Sequence, residues 1–294
     1  MNICSTNAAK CKLPTITFAR NLKFVFPFDS LLHIVGLLLA FVIGLSLGLL
    51  GSGGSAITVP VLVYCMGIAP SQAIPDSVFV VGVTSLAGAL YNLLKKQVAL
   101  RPLIYLGIPS VLSAFLTRRF LVPLLPQAIK FSESFILSKD SYLMLLFAML
   151  LVLIARNMIR PKKIDAAHFH PHNIFPAIVT GVIVGILIGT LGIGGGFLLV
   201  PVLVIYFGLE MKIAVGTSLW LITFNSLVSF TGDVSHKVYS WNFLFVYTFL
   251  TLVGMIISWS LVKKIRPENI KVAAGYVILI TGIFVIAERL FHNY

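Results

Sequence analysis

Two glycine clusters interrupt otherwise apolar runs: Gly51-Ser52-Gly53-Gly54-Ser55 and Gly192-Ile193-Gly194-Gly195-Gly196. Glycine in a helix interior costs about 1 kcal/mol relative to alanine, so clustered glycines predict that one helix stops and another starts. The first N–H groups of a new helix have no intrahelical partner, and its dipole places about half a positive charge there. Such an end holds an anion without a basic side chain. The chemistry on offer is therefore backbone binding of an anion at Gly51, Ser52, Gly53, Gly54 and Ser55 and at Gly192, Gly194, Gly195 and Gly196, with no catalytic residue. A dinucleotide loop would need a preceding strand, and the apolar run before each cluster is read as a membrane helix instead. A nucleophilic Ser52 would need a base; no histidine lies in a second-half span, and Ile193 replaces the serine there.

Further polar residues extend the candidate site. Ser77 and Ser218 stand just beyond the clusters, and Ser218, Asn225 and Ser229 share one helical face, as do Ser77, Thr84, Gly88 and Asn92. They line a cavity or bond helix to helix; for Ser77 and Ser218, which recur, the cavity is the expectation. Gly44, Gly48, Gly185 and Gly189 have the four-residue spacing of close helix packing. Cys4, Cys11 and Cys65 form no even disulfide set and no metal-ligand spacing. His168, His170 and His172 alternate beside Asp165 in a connector, read as a solvated linker ahead of a metal site. No metal and no cofactor are expected, and without a nucleotide motif ATP is not the direct energy source.

These residues need elements to hold them. Of 294 residues, 59% are hydrophobic and 11% charged, against about 25% charged in soluble domains, so the bilayer must be the solvent. Apolar segments fall at 31–50, 56–68, 73–94, 102–122 and 141–160, then at 174–191, 197–208, 212–231, 241–262 and 269–288. A crossing needs about 20 residues, so 56–68 and 197–208 are read as halves of broken hairpins. The net charge of +13 sits in loops between spans, which argues for membrane anchoring and against nucleic acid. The basic stretch 1–30 is read as a retained tail rather than a cleaved signal.

The halves repeat. An offset of 141 aligns Gly44, Gly48, Gly51, Gly53 and Gly54 with Gly185, Gly189, Gly192, Gly194 and Gly195, and Val59–Val63 with Val200–Val204. It also pairs Gly67 with Gly208, Ser77 with Ser218 and Ser85 with Ser226. The expected organisation is a tail (1–30), a first repeat (31–160), a connector (161–173) and a second repeat (174–290). Five segments per copy predict an inverted second copy. One orientation makes Lys95, Lys96 and Arg101, Arg156 to Lys163, and Lys263 to Arg266 cytoplasmic, but leaves the tail and Arg118-Arg119 outside; the other does the reverse.

Gly-x-Gly-Gly-Gly followed by Val-Pro-x-Leu, a glycine, and Ala-Val-Gly-Thr-Ser-Leu at 214–219 resembles the sulfite exporter TauE/SafE family of membrane permeases over residues 31–290. The resemblance implies a multi-pass transporter for sulfur-containing anions, with the duplicated motif, Thr217 included, at its centre. The first copy departs from the pattern, with Ile74-Pro75-Asp76-Ser77-Val78 where the second has Val215-Gly216-Thr217-Ser218-Leu219. Asp76 marks either a coupling-ion position or the cap of a helix. The expected fold is an all-α polytopic membrane protein of two inverted repeats with glycine-broken hairpins. Its expected function is alternating-access transport of a small inorganic or organic anion, such as sulfite or a sulfonate. A passive anion channel is the alternative, and an intramembrane enzyme a weaker one. The expected location is a cell membrane, the inner one in a Gram-negative cell; association into a homo-oligomer is left open.

Overall fold

The structure, a computed structural model, describes residues 29–51, 54–126, 128–132, 135–159, 174–191, 196–234, 239–261 and 267–291. The basic tail before residue 29 and the connector bearing His168, His170 and His172 lie outside the described residues. The chain is all-α apart from one small hairpin. α1 (Asp29–Leu50) stops at the first glycine cluster; α2 (Ser55–Pro60) follows and runs directly into a π-helical turn (Val61–Cys65). Next come α3 (Pro70–Leu94), α4 (Leu100–Tyr105), α5 (Gly107–Leu116), a second π-helical turn (Thr117–Leu121) and α6 (Val122–Leu124). After an antiparallel pair, β1 (Ala128–Ser132) with β2 (Phe135–Ser138), comes α7 (Lys139–Ile159). The second half holds α8 (Ile174–Leu191), α9 (Gly196–Phe207), α10 (Met211–Val234), α11 (Trp241–Leu261) and α12 (Pro267–Phe291).

Length separates crossing helices from half-helices. Five stretches are long and apolar enough to span: Leu32–Leu50, Pro70–Leu94, Leu100–Leu124, Met211–Asp233 and Trp241–Leu261. The 25 residues of α3 reach roughly 37 Å, more than the ~30 Å hydrocarbon core. The 12 residues of α9 reach roughly 18 Å, and α2 with its π turn is no longer. Large apolar side chains point outward from one long helix after another: Leu38 is 63% exposed, Ile108 62%, Phe249 65% and Ile280 66%. In water that surface would drive aggregation; against lipid it costs nothing. These helices make a multi-pass membrane protein.

The halves interlock. α1 packs along α11, and α8 packs along α5; α3 crosses α10, and α7 lies against α12. Shifting each residue by 141 turns the first pairing into the second and exchanges the partners of the α3–α10 crossing. Glycines permit the close approach. A Cβ on Gly44 would strike the carbonyl of Thr251, and one on Gly185 the carbonyl of Ser110, the residue equivalent to Thr251. Gly48 faces Ser258 as Gly189 faces Thr117, again equivalent positions. The packing role read for these four glycines holds. Hydroxyls repeat the pattern: Thr84 Oγ1 bonds Thr251 Oγ1 at 2.7 Å, and Ser110 Oγ donates to Asn225 Oδ1 at 3.1 Å.

Both half-helices end alike, on a left-handed glycine, Gly67 (φ 65°) and Gly208 (φ 61°). The next N–H reaches back in each case, Ile68 to the Leu62 carbonyl at 3.1 Å and Leu209 to Leu203 at 3.4 Å. The β1–β2 hairpin breaks the correspondence: it precedes α7, whereas α11 and α12 are separated by a short connection.

Gly44→Leu should abolish a monodisperse, heat-resistant peak in detergent, because the new side chain meets backbone that cannot move aside. Gly67→Ala, with open space around its Cβ, should cost only about 1–2 kcal/mol for its left-handed backbone. Fluorescence-detected size exclusion with a thermal ramp measures both.

Candidate anion-binding site

The first expected break is present, with helix ending at Leu50 and resuming at Ser55; the second falls on residues 192–195, which lie outside the described residues. Gly51 makes the turn possible, with φ at 67° and its bare α-carbon against Val215 of α10. Any side chain there would be strained and would collide with that valine. Gly54 then lets α2 fold back on α1, lying against the Ile43 carbonyl and the Ser46 hydroxyl. No side chain caps α2 at Gly54, so its first amides are left to the break itself. Thr58 Oγ1 donates to the Gly54 carbonyl at 3.0 Å and tightens the first turn. Ser52, Gly53, Gly192, Gly194 and Gly195 lie outside the described residues, as does the side chain of Ser55.

The second copy contributes to the first break. Ser218 Oγ lies 3.2 Å from the Gly51 carbonyl and 2.8 Å from the Val215 carbonyl, donating its one hydrogen between them. In this state Ser218 therefore restrains the break; it must rotate to present that hydrogen to an anion. Ser77, its equivalent, donates to the Ile74 carbonyl at 2.7 Å. Thr217 accepts from the Ala99 amide at 2.9 Å, tying the start of α4 to α10. Asp76, at the equivalent place in α3, is 4% exposed and accepts from Gln72 Nε2 at 3.2 Å. It does not cap α3, which begins at Pro70, so the capping expectation gives way: the aspartate sits in the helix's second turn.

Ser77, Thr217, Ser218 and Asn225 are all fully buried. Asn225 is the residue whose role shifts most. Its bond to Ser110 matches Thr84 with Thr251, so its carbonyl holds two helices together, while its Nδ2 has no hydrogen-bond partner. Ser85 bonds Thr223 at 3.0 Å where α3 crosses α10. The equivalent hydroxyl, Ser226, faces Gly82 and has no partner. An open groove of about 590 Å³ lies elsewhere, between α3 and α11, lined by Phe79, Val83, Phe245 and Phe249, an apolar face turned to lipid.

Sequence reasoning placed every basic residue in a loop or at a span end; the structure corrects this for Arg118. Its side chain is 3% exposed and its Nε lies 3.0 Å from Asp233 Oδ2. Nearby Tyr239 is also buried, and burial first, then the carboxylates of Asp233 and Asp76, push its phenol far above the usual range, keeping it a neutral donor. Only Arg119 of the pair is exposed, so only Arg119 bears on orientation. The available signal was an acid and a base each inside an otherwise apolar run, since ionisable groups there pair. Lys95 and Lys96 are exposed, as expected.

The model of the Sulfite exporter TauE/SafE family matches residues 36–285. A probable membrane transporter protein of Methanocaldococcus jannaschii is 27% identical over 90% of this chain and 99% of its own. One from Xylella fastidiosa (strain Temecula1) is 25% identical over 83% of this chain and 91% of its own, and one from Bacillus subtilis is 25% identical over 88% and 98%. No solved structure matches the chain.

Ser218→Ala removes the bond to Gly51 and the only hydroxyl reaching that break from α10. Anion affinity should fall roughly fivefold, the worth of one hydrogen bond at about 1 kcal/mol. Titration of purified protein with sulfite checks it.

Proposed function

Because this chain belongs to the sulfite exporter TauE/SafE family and is a multi-pass membrane transporter, we propose that it is a secondary transporter of a small anion, a sulfite, sulfonate or related sulfur oxoanion, working by alternating access. One observation carries the reading: a helix stops and restarts at the first glycine cluster, and Ser218 of the other half bonds its broken backbone. Broken backbone inside a bilayer is tolerated only where protein encloses it or a wet cavity meets it. The uncapped start of α2 then offers amides and a positive helix end to an anion, a contribution of up to about 2 kcal/mol when partly buried.

In this proposal the units are residues 31–160 and 174–290, set as inverted repeats, and the exchange of packing partners between halves supports that arrangement. Rocking one unit against the other would open the site to each side in turn. Complete burial of Ser77, Thr217, Ser218 and Asn225 favours this over an open passive channel, whose lining stays wet. Asp76, buried in α3 and replaced by Thr217 in the other copy, is the group assigned to ion coupling.

Purified protein in proteoliposomes should exchange labelled sulfite or a small sulfonate by counterflow. Gly53→Leu or Gly194→Leu should abolish exchange in protein that still inserts, while neutralising Lys95 and Lys96 should leave it within about twofold, as expected for exposed charges. Steady leak without counterflow would instead identify a channel. Transport that survives both glycine changes would remove the broken backbone from the mechanism.

A further inference from the structure

Arg118 stands beside the second break. The residue before it, Thr117, packs on Gly189, whose added Cβ would lie 2.8 Å from the threonine Cβ, and α8 ends only two residues later at Leu191. The arginine stem crosses Gly232 of α10, its Cβ 3.4 Å from where a glycine Cβ would stand. The guanidinium then meets Asp233 at 3.0 Å. That contact is close but badly aimed: neither Arg118 Nε nor Asp233 Oδ2 makes a hydrogen bond of good geometry. Charge holds the pair, and Arg118 Nη2 has no partner although the side chain is buried. The hydroxyl of Tyr239, 8% exposed and within electrostatic range of the guanidinium, also lacks one.

Buried donors are almost always satisfied, because leaving one open costs its full desolvation. Packing of the repeat does not demand these charges. At the equivalent place beside the first break, Trp259 replaces Arg118 and stacks on Tyr91 at 4.1 Å, and Asn92 replaces Asp233. One of two equivalent places thus holds stacked rings, and the other an ill-fitting ion pair with spare donors.

We propose that Arg118 and Tyr239 form a side-chain subsite for an oxoanion beside the second glycine break, filled in this state by the Asp233 carboxylate, which the anion displaces. The ligand class follows from the donors. A guanidinium offers parallel N–H groups that fit two oxygens on one centre, as in sulfite or a sulfonate, and the phenol supplies a third hydrogen bond. Exchange of one anion for another leaves the buried guanidinium paired throughout, so the cation itself never stands uncompensated. The subsite rests on the anion-transport reading for its place in a cycle, but binding to it can be measured without transport.

The test is equilibrium binding of sulfite to the purified full chain, alongside uptake into proteoliposomes. Arg118→Gln should weaken binding roughly thirtyfold, as truncation of a buried charged partner does. Tyr239→Phe should weaken it about fivefold, the loss of one hydrogen bond. Asp233→Asn should tighten it about three- to tenfold, since a competitor has been removed. That opposite sign separates a displaced carboxylate from a structural ion pair, in which both partners' variants lose binding together. The double change Arg118→Gln with Asp233→Asn removes both charges, should fold even if the single arginine variant does not, and should still bind weakly. Asp233→Asn weakening binding, or wild-type affinity in the double variant, would overturn the subsite. Wild-type protein that binds no oxoanion overturns it too, whereas binding without uptake overturns only the transporter reading.

Discussion

A helix that stops inside hydrocarbon leaves amides and carbonyls that lipid cannot satisfy, at a cost of several kcal/mol each. The rest of the architecture follows from enclosing those ends. α10 reaches the first break with Val215 against Gly51 and Ser218 on its carbonyl. Such contacts require α3 and α10 to cross closely, which Gly82 against Ser226 and Ser85 with Thr223 allow. The outer helices must then close around the pair, and glycines at 44, 48, 185 and 189 let α1 and α8 press onto the other half's helices. The first copy alone would leave its break uncovered, and α10 of the second covers it.

Much of this was legible in the sequence because it depends on spacing. Glycines recurring in register predicted the first break and the close-packing faces, and apolar run length predicted the five helices long enough to cross. Which helix covers which break was not legible: Thr84 with Thr251, and Asn225 with Ser110, are pairings across more than a hundred residues, set by how two copies interlock. Asp76 was misplaced for a local reason. Its helix begins earlier than the apolar pattern, because Pro70 fits the first turn of a helix and Ala69 takes an extended conformation before it. Arg118 was misread because the count of basic residues treats every arginine at a span end as wet. A π-helical turn and Gly232 let this one turn inward toward Asp233.

The places where the copies differ are informative because duplication supplies a control within the chain. A position that keeps its residue or its contact in both copies is explained by shared architecture. Gly44 with Gly185, Gly67 with Gly208, and the two interhelical hydroxyl bonds belong to that class. A position that changes has been released from the architecture. Thr217 bonds the amide that opens α4, while Asp76 places a buried carboxylate at the matching depth. Thr223 satisfies Ser85, while Gly82 leaves Ser226 open.

These differences have a direction. A symmetric transporter would hold its two closures equally, and a bound anion would meet the same barrier either way. At one of two equivalent places Tyr91 stacks on Trp259, with Lys95 Nζ over the tyrosine ring. At the other, Arg118 meets Asp233 by charge in a low-dielectric setting, where a competing anion acts strongly. In the proposed cycle the two places therefore answer to different signals, one to packing and one to the substrate's own charge. Duplication supplies the scaffold, and in the proposed cycle the departures from it make its two equivalent places unequal.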